Sequence, residues 1–320
     1  MRNISRRLAA HRTINIRQIA RMEEEEIHDL LCRLRWPPTG EPICPQCGGY
    51  EINHRFARRL FRCVACRHEF SITSGTSLQS CRLPLHLVLA AGFLFATAPK
   101  GISSMQMSHW TGIGQKSIWL LQQRFREAAW WYQSTLKLFG VIEIDVQYFG
   151  GTRRRANCGR RAIPDYENDR TDTKIGMTLR QRGGPAIAVP VLGETRHEIL
   201  RVIRQHVLPG SRVISDEARG YGVLEVYFEL WQINHANRYA DGDIYTNNAE
   251  ALHSRAKRGQ KGIYHRYAHG ANFDLYLAEY AFRHSHSHLD TQSMWELWLA
   301  LLIQHPVSPR FLGYWQKSID

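Results

Sequence analysis

Three carboxylates lie where the local sequence pattern predicts three separate structural elements. Asp145 is in the alternating apolar run 141–151, which predicts a β-strand closed by a Gly-Gly turn. Asp216 ends a second short strand, and Glu250 lies in a predicted helix. Burying a carboxylate costs free energy unless the group is paired or binds a metal. Two acids on strands and one on a helix could hold divalent cations, which activate water or a 3′-hydroxyl for attack on a phosphodiester.

Each of these carboxylates also has a purely structural interpretation. Acidic residues are common at strand edges, and Asp216 could instead cap the helix or turn that follows it. Glu250 shares a predicted helix face with Ser254 and with Lys257 or Arg258, a pattern that a solvated surface also produces. Spacing alone does not show that the three acids converge.

Four of the seven cysteines form two CxxC pairs with fifteen residues between them: Cys44, Cys47, Cys63 and Cys66. Pairs at this separation favour a tetrahedral zinc site with four thiolates. Zinc would supply folding energy that a segment of roughly 40 residues cannot obtain from apolar burial. Cys32, Cys81 and Cys158 do not fit the pattern and are expected to be free thiols. The ribbon is rich in arginine, which is compatible with DNA contact and with a purely structural zinc role.

Helical patterns surround the ribbon. Apolar residues at helical spacing predict a helix over 22–34, ended by Trp36-Pro37-Pro38. The segment 102–107, the glycine-containing turn 111–114 and the segment 115–125 have the order of a helix-turn-helix. A generic helical hairpin explains that order equally well, but the neighbouring ribbon and the basic charge favour DNA binding.

The charge balance points to an anionic polymer. The 320 residues carry a net charge of +13, and the isoelectric point is near 9.6. Six arginines lie in residues 1–21, and five more lie in the insert 153–161. Such a balance favours nucleic acid over a membrane surface. The most apolar stretch, 83–98, is too short to span a bilayer. We expect a cytoplasmic protein without a membrane partner, associated with the nucleoid when bound to DNA.

From residue 139 onwards, the chain alternates short strands with helices. Strands are predicted at 141–148, 174–179, 186–192 and 212–216, and a helix is predicted at 198–208. This order indicates an α/β class with a mixed sheet. Three histidines at 284, 286 and 288 follow the helix that we expect to be the last. They fit a solvated tail better than a metal site.

These motifs together resemble the IS1595-type insertion-sequence transposases, which carry an ISXO2-like DDE domain. The resemblance runs in order over roughly residues 30–284. The matching segments are 34–37, 44–48, 61–66, 70–76, 82–85, 144–151, 215–217, 234–235, 246–250, 257–265 and 276–283.

The resemblance implies an RNase H-like catalytic domain in which Asp145, Asp216 and Glu250 hold Mg²⁺ or Mn²⁺. It implies that Lys257 contacts DNA. The expected activity is that of a DNA transposase, which binds terminal inverted repeats, cleaves double-stranded DNA and transfers the strand to a target. Because two transposon ends must be paired, a homo-oligomer is expected on DNA. The role of His235 is less defined.

The residue patterns and the resemblance together give the expected domain order. We expect a basic arm and first helix at 1–40, the zinc ribbon at 41–75 and the helix-turn-helix region at 76–137. The RNase H-like DDE domain follows at 138–285, and a C-terminal tail covers 286–320.

This chain departs from the family pattern beside two of its acids. Val146-Gln147 follow Asp145 where the family has Glu-Thr, and Ala251-Leu252-His253 replace a segment that usually includes an aromatic residue. The three carboxylates are kept. An inactive or domesticated zinc-ribbon DNA-binding protein of the same fold is therefore the alternative function. A nuclease that cuts without joining is a third.

Overall fold

The computed structural model describes residues 11–55, 58–150, 174–216, 219–233, 247–265, 271–311 and 313. The arginine-rich insert 153–161, Cys158, His235 and the first ten residues lie outside them. In the part of the chain that the structure describes, no helix is both long and apolar enough to cross a membrane.

The secondary structure alternates between helical and sheet regions. The α-helices are α1 (Ile16–Ile19), α2 (Glu24–Arg35), α3 (Leu85–Thr97), α4 (Ser104–Thr111), α5 (Gln115–Thr135), α6 (Arg196–His206), α7 (Asn247–Gly259), α8 (Phe273–Ser285) and α9 (Thr291–Gln304). The strands are β1 (Ile52–Arg55), β2 (Leu60–Cys63), β3 (Glu69–Phe70), β4 (Val141–Phe149), β5 (Lys174–Gln181), β6 (Ala186–Val191), β7 (Arg212–Asp216) and β8 (Glu229–Ile233). A 3₁₀ helix covers Arg219–Val226, and a π-helical turn covers Gln260–Tyr264.

The chain divides into two compact units, one made of Met1–Trp131 with His288–Asp320 and the other of Tyr132–Ser287. In the first unit, β1, β2 and β3 form an antiparallel sheet in that order. Helix α2 begins with a capping box between Glu23 and Glu26 and has three acids in its first turn, where the helix dipole favours negative charge. The predicted helix before the ribbon is confirmed.

Helices α4 and α5 of the first unit are joined by a three-residue turn. The Ser103 side chain caps α4, and Gly112 ends it in a left-handed conformation with φ of 69°. The Ser108 hydroxyl donates to the Ile113 carbonyl at 2.6 Å, which closes the turn. The helix–turn–helix order predicted from the sequence is present as secondary structure.

Residues 286–320 differ from the expected tail, because 291–304 form α9. Asp290 caps this helix through the amides of Gln292 and Ser293. Trp295 and Trp298 are fully buried, and the Trp295 indole donates to the Leu89 carbonyl at 3.1 Å. The C-terminal helix is thus part of the core of the first unit. The borders expected for the arm, ribbon and helical region within this unit stay predictions.

The second unit has a five-stranded mixed sheet with the order β6-β5-β4-β7-β8, in agreement with the predicted mixed α/β sheet. Strands β5 and β6 are antiparallel to their neighbours, whereas β4, β7 and β8 are mutually parallel. Alternation along β4 separates its two faces. Ile142 and Ile144 pack with α6 on one face, and Phe149 packs with α7 and α8 on the other.

Candidate active site and metal centre

Strand register brings Asp145 and Asp216 to the same level of two adjacent strands. Val141 of β4 pairs with Arg212 of β7, an offset of 71 residues, and Asp216 also follows Asp145 by 71 residues. Parallel strands present residues at equal offset side by side. The two aspartates therefore occupy equivalent positions on neighbouring strands, Asp145 in the middle of β4 and Asp216 at the end of β7.

Helix α7 adds the third acid to the same place. Glu250 lies in the first turn of α7. Together with Asp145 and Asp216, it lines one pocket of about 290 Å³. The other lining residues are Ile144, Gln147, His253 and Ser254. The three acids that spacing alone could not bring together thus line the same pocket. Lys257 lies two turns further along α7 and is not among the residues lining this pocket.

His253 connects α7 to the central strand β4 and to its neighbour β5. Its Nδ1 lies 2.8 Å from Oδ2 of Asp145, and its Nε2 lies 2.7 Å from the hydroxyl of Thr178. The ring is almost completely buried. Asp145 and Thr178 face each other across the β4–β5 pair, so a single imidazole contacts both strands.

Glu143, two residues before Asp145 on β4, is completely buried and binds the start of α7. One of its oxygens accepts from the Asn248 amide at 3.0 Å and from the Ala249 amide at 3.3 Å. The other accepts from the Asn248 side chain and from Nε of Arg182, each at 2.8 Å. A buried carboxylate is tolerated when its oxygens are bonded in this way. Glu143 therefore serves as a cap for the helix that carries Glu250.

Negative charge accumulates around the pocket. Burial raises the pKa of Glu194, and the charges of Asp216 and Asp145 raise this pKa further. A cation bound by the pocket acids would offset this repulsion.

The four ribbon cysteines form a separate cluster in the first unit. Their sulfurs all lie within 4.8 Å of one another, and the Cys44–Cys66 and Cys47–Cys63 pairs are each 3.6 Å apart. Four sulfurs bound tetrahedrally to zinc at about 2.3 Å would lie about 3.8 Å apart, so the observed spacing fits zinc. Among the described residues, no other group of metal-ligating side chains is as closely gathered.

The thiol acidities agree with a thiolate cluster. Burial opposes ionisation of Cys44, but hydrogen bonds from the backbone of Cys47 and Gln46 favour the thiolate, and its pKa falls to about 7. For Cys66, the backbone of His68 favours the thiolate, but burial and the neighbouring sulfurs raise the pKa to about 12. The neighbouring sulfurs disfavour each other's ionisation, and a cation among them would offset this repulsion.

Comparison with known proteins places both regions in one family. Residues 137–285 match the ISXO2-like transposase domain, and residues 22–69 match the transposase zinc-ribbon domain. An uncharacterized transposase-like protein of Haemophilus influenzae is 36% identical over 98 residues, which cover 29% of this chain and 76% of that relative. The chain belongs to the IS1595-type transposases.

Sequence reasoning about this transposase missed two site residues. Period-two alternation places Glu143 on the same face of β4 as Asp145, and helical spacing places His253 one turn after Glu250. Both signals were available in the sequence. Neither could assign a partner, because the partners lie on elements that are distant in sequence. The roles of Asp145, Asp216, Glu250 and Lys257 stay predictions. The shared pocket gives the predicted roles of the three acids a geometric basis.

Proposed function

We propose that this chain is a DNA transposase whose second unit, an RNase H-like domain, cleaves transposon ends and joins them to a target duplex. One observation carries the proposal. Asp145, Asp216 and Glu250 come from three elements and line a single pocket within the segment that matches the ISXO2-like domain. All three are only partly buried, so the pocket is accessible to solvent and to a DNA backbone.

The donor set of the pocket fits Mg²⁺ or Mn²⁺, since both cations prefer carboxylate oxygens. Asp145, Asp216 and Glu250 would hold the cations, which when bound activate the attacking oxygen and stabilise the leaving oxygen of the phosphodiester. The chain itself contributes positioning. Strands β4 and β7 hold the aspartates level, and the capped start of α7 holds Glu250 beside them.

Lys257 would contact the DNA backbone beside the pocket. It follows Glu250 by seven residues on α7, so the two side chains share a helix face two turns apart. A cation in this position neutralises a phosphate and helps to place the strand that is cut.

The ribbon and the α4–α5 pair would bind the inverted repeats. Arg58 and Arg67 are exposed on the ribbon, and Lys116 is exposed at the start of α5. Contacts with phosphates place a protein on the duplex, and a few side chains in a groove read the bases. We propose that the four cysteines bind zinc and hold the ribbon in the form that presents these arginines. Binding should weaken steeply as salt is raised, because phosphate contacts release counterions.

The test uses the full-length protein, a duplex carrying the inverted repeat that flanks its gene, and supercoiled target DNA with Mg²⁺ or Mn²⁺. We expect nicking at the repeat end and a joined product. Glu250→Gln should reduce both by more than about 100-fold, because even outer-shell changes at metal sites cost about 10–100-fold. Glu225→Gln is the matched control, since this carboxylate is exposed in the 3₁₀ helix and does not line the pocket.

The alternatives give different products. A DNA-binding protein with an inert second unit would bind the repeat and leave it intact at every cation concentration. A nuclease would produce cut ends without joined DNA. Because two ends must be processed together, we further propose a homo-oligomer on DNA, which light scattering of the protein–repeat complex would reveal as more than one chain per complex.

A further inference from the structure

One buried imidazole connects a candidate catalytic carboxylate to the neighbouring strand. His253 bonds Asp145 through Nδ1 and Thr178 through Nε2, at 2.8 and 2.7 Å. Its ring also packs edge-on against Phe149, with centroids 6.4 Å apart and planes at 83°. The three partners fix the position and the plane of the ring.

The chemistry of the two partners indicates how His253 uses its nitrogens. The ionised carboxylate of Asp145 can only accept, so Nδ1 of His253 must donate to it. In the neutral ring Nε2 is then an acceptor, and the Thr178 hydroxyl donates to it. The chain Thr178–His253–Asp145 thus has a direction. It engages Oδ2 of Asp145 and leaves Oδ1 as the oxygen that His253 does not contact.

A histidine with a purely structural role in the core could satisfy its two nitrogens with polar partners anywhere in the core. Here one partner is an acid that lines the pocket, and His253 itself lines that pocket beside Glu250. Groups that bond a metal-ligating side chain fix its orientation. His253 also stands in the segment 251–253, where the family resemblance leads us to expect an aromatic residue, which would lack these hydrogen bonds.

We propose that His253 is a positioning residue that orients the Asp145 carboxylate for cation binding, and that the hydrogen bond from Thr178 helps to hold the His253 ring in place. The proposal rests on the proposed function, because it assumes that Asp145 is a cation ligand. His253 does not take part in bond making or breaking. It sets the rotamer of the group that does the binding.

Four variants of the full-length, zinc-loaded protein separate the hydrogen bonds from the packing. His253→Asn keeps a donor near the position of Nδ1, and His253→Gln places its amide near the position of Nε2. His253→Phe keeps an aromatic ring without either bond, and Thr178→Val removes the hydroxyl. The probe is Mn²⁺, titrated without DNA and followed by electron paramagnetic resonance, with Asp145→Asn as the reference for loss of the site.

We expect His253→Phe to weaken Mn²⁺ binding by about 10–100-fold, the usual effect of losing an outer-shell partner. His253→Asn should retain most of the Mn²⁺ affinity, and His253→Gln should lose about as much affinity as His253→Phe. Thr178→Val should cause a smaller loss. DNA binding should be unchanged in all four. If the Phe variant fails to fold, the Asn and Gln variants alone test the prediction, because their amides imitate different ring nitrogens.

Wild-type affinity in His253→Phe, with Asp145→Asn still weakened, would overturn the positioning role and leave the proposed function intact. Equal loss in the Asn and Gln variants would overturn it too, because the δ donor would then be irrelevant. Mn²⁺ binding that does not depend on Asp145 would overturn both the positioning role and the assignment of Asp145 as a ligand.

Discussion

Replacement of Glu143 by alanine should loosen α7 from the sheet and destabilise the second unit. The carboxylate is completely buried and accepts four hydrogen bonds, two of them from the first amides of α7 and one from Arg182. The Arg182 side chain is only 20% exposed, so water can replace its lost partner only in part. Removing one member of a buried ion pair costs about 3–5 kcal/mol.

That loss is a large fraction of the roughly 5–15 kcal/mol by which a typical protein is stable. Glu143→Gln should cost less, because the amide keeps one acceptor oxygen. Its NH₂ group would nevertheless face the donors of Arg182 and Asn248, and each unmet buried group costs about 1–3 kcal/mol. The matched control is Glu229→Ala, which breaks the Arg212–Glu229 pair in the same sheet. That glutamate is 54% exposed, and exposed pairs contribute about 0–1 kcal/mol.

Two measurements on the full chain test this reasoning. In urea unfolding followed by circular dichroism, Glu143→Ala should lose the most stability, Glu143→Gln should lose less, and Glu229→Ala should lose the least. Amide hydrogen exchange of the peptide covering 247–259 should accelerate in Glu143→Ala and stay unchanged in the control. The reasoning is refuted if Glu143→Ala loses no more stability than Glu229→Ala and the start of α7 keeps its protection.

Three further predictions follow from buried or clustered groups. Chelation of zinc should unfold residues 41–75 and leave the sheet of the second unit in place; circular dichroism with a zinc-release assay checks this, and an unchanged spectrum would contradict it. Burial and two nearby arginines lower the pKa of His284 to about 4. Because the unfolded chain takes up this proton near pH 6.5, stability should fall as the pH drops from about 6.5 to about 4, and urea unfolding should show a weaker pH dependence in His284→Gln. Burial raises the pKa of Cys32 to about 11. Iodoacetamide at pH 8 should therefore label the half-buried Cys81 faster than Cys32, and mass spectrometry of the zinc-bound protein would measure the two rates.

The sequence was sufficient to predict local elements whose pattern is strongly periodic. Strands β4 to β7 of the second unit, the helix before the ribbon and the clustering of four cysteines all follow from residue spacing, whereas strand β8 was not predicted. Helix α9 could also have been found, because Trp295, Trp298, Leu299 and Leu302 have helical spacing after the cap residue Asp290. We expected a tail because we took the helix before His284 to be the last one and interpreted the alternating histidines after it as solvated. The apolar pattern beyond that point was the better guide.

The difference between Glu143 and Asp145 could not be predicted in this way. Both occupy the same face of β4, and the alternation pattern makes them equally good candidates for a site residue. The structure separates them by exposure, because Glu143 has no accessible surface whereas the Asp145 side chain is 25% exposed. What distinguishes them is the point at which α7 begins, and this depends on packing between elements about 100 residues apart. A carboxylate opposite the first amides of a helix becomes a cap, and one opposite the next turn faces the pocket.

The two contacts between β4 and α7 together explain how Glu250 is held. Two residues along a strand advance by about 6.7 Å. Four to five residues along a helix advance by about 6–7.5 Å. Glu143 contacts residues 248 and 249, and Asp145 contacts His253, so the strand and the helix advance by the same distance between their two points of contact. Glu250 lies between these points. A single contact would allow α7 to pivot on the sheet, whereas two contacts on either side of Glu250 fix both its height and its direction toward the aspartates.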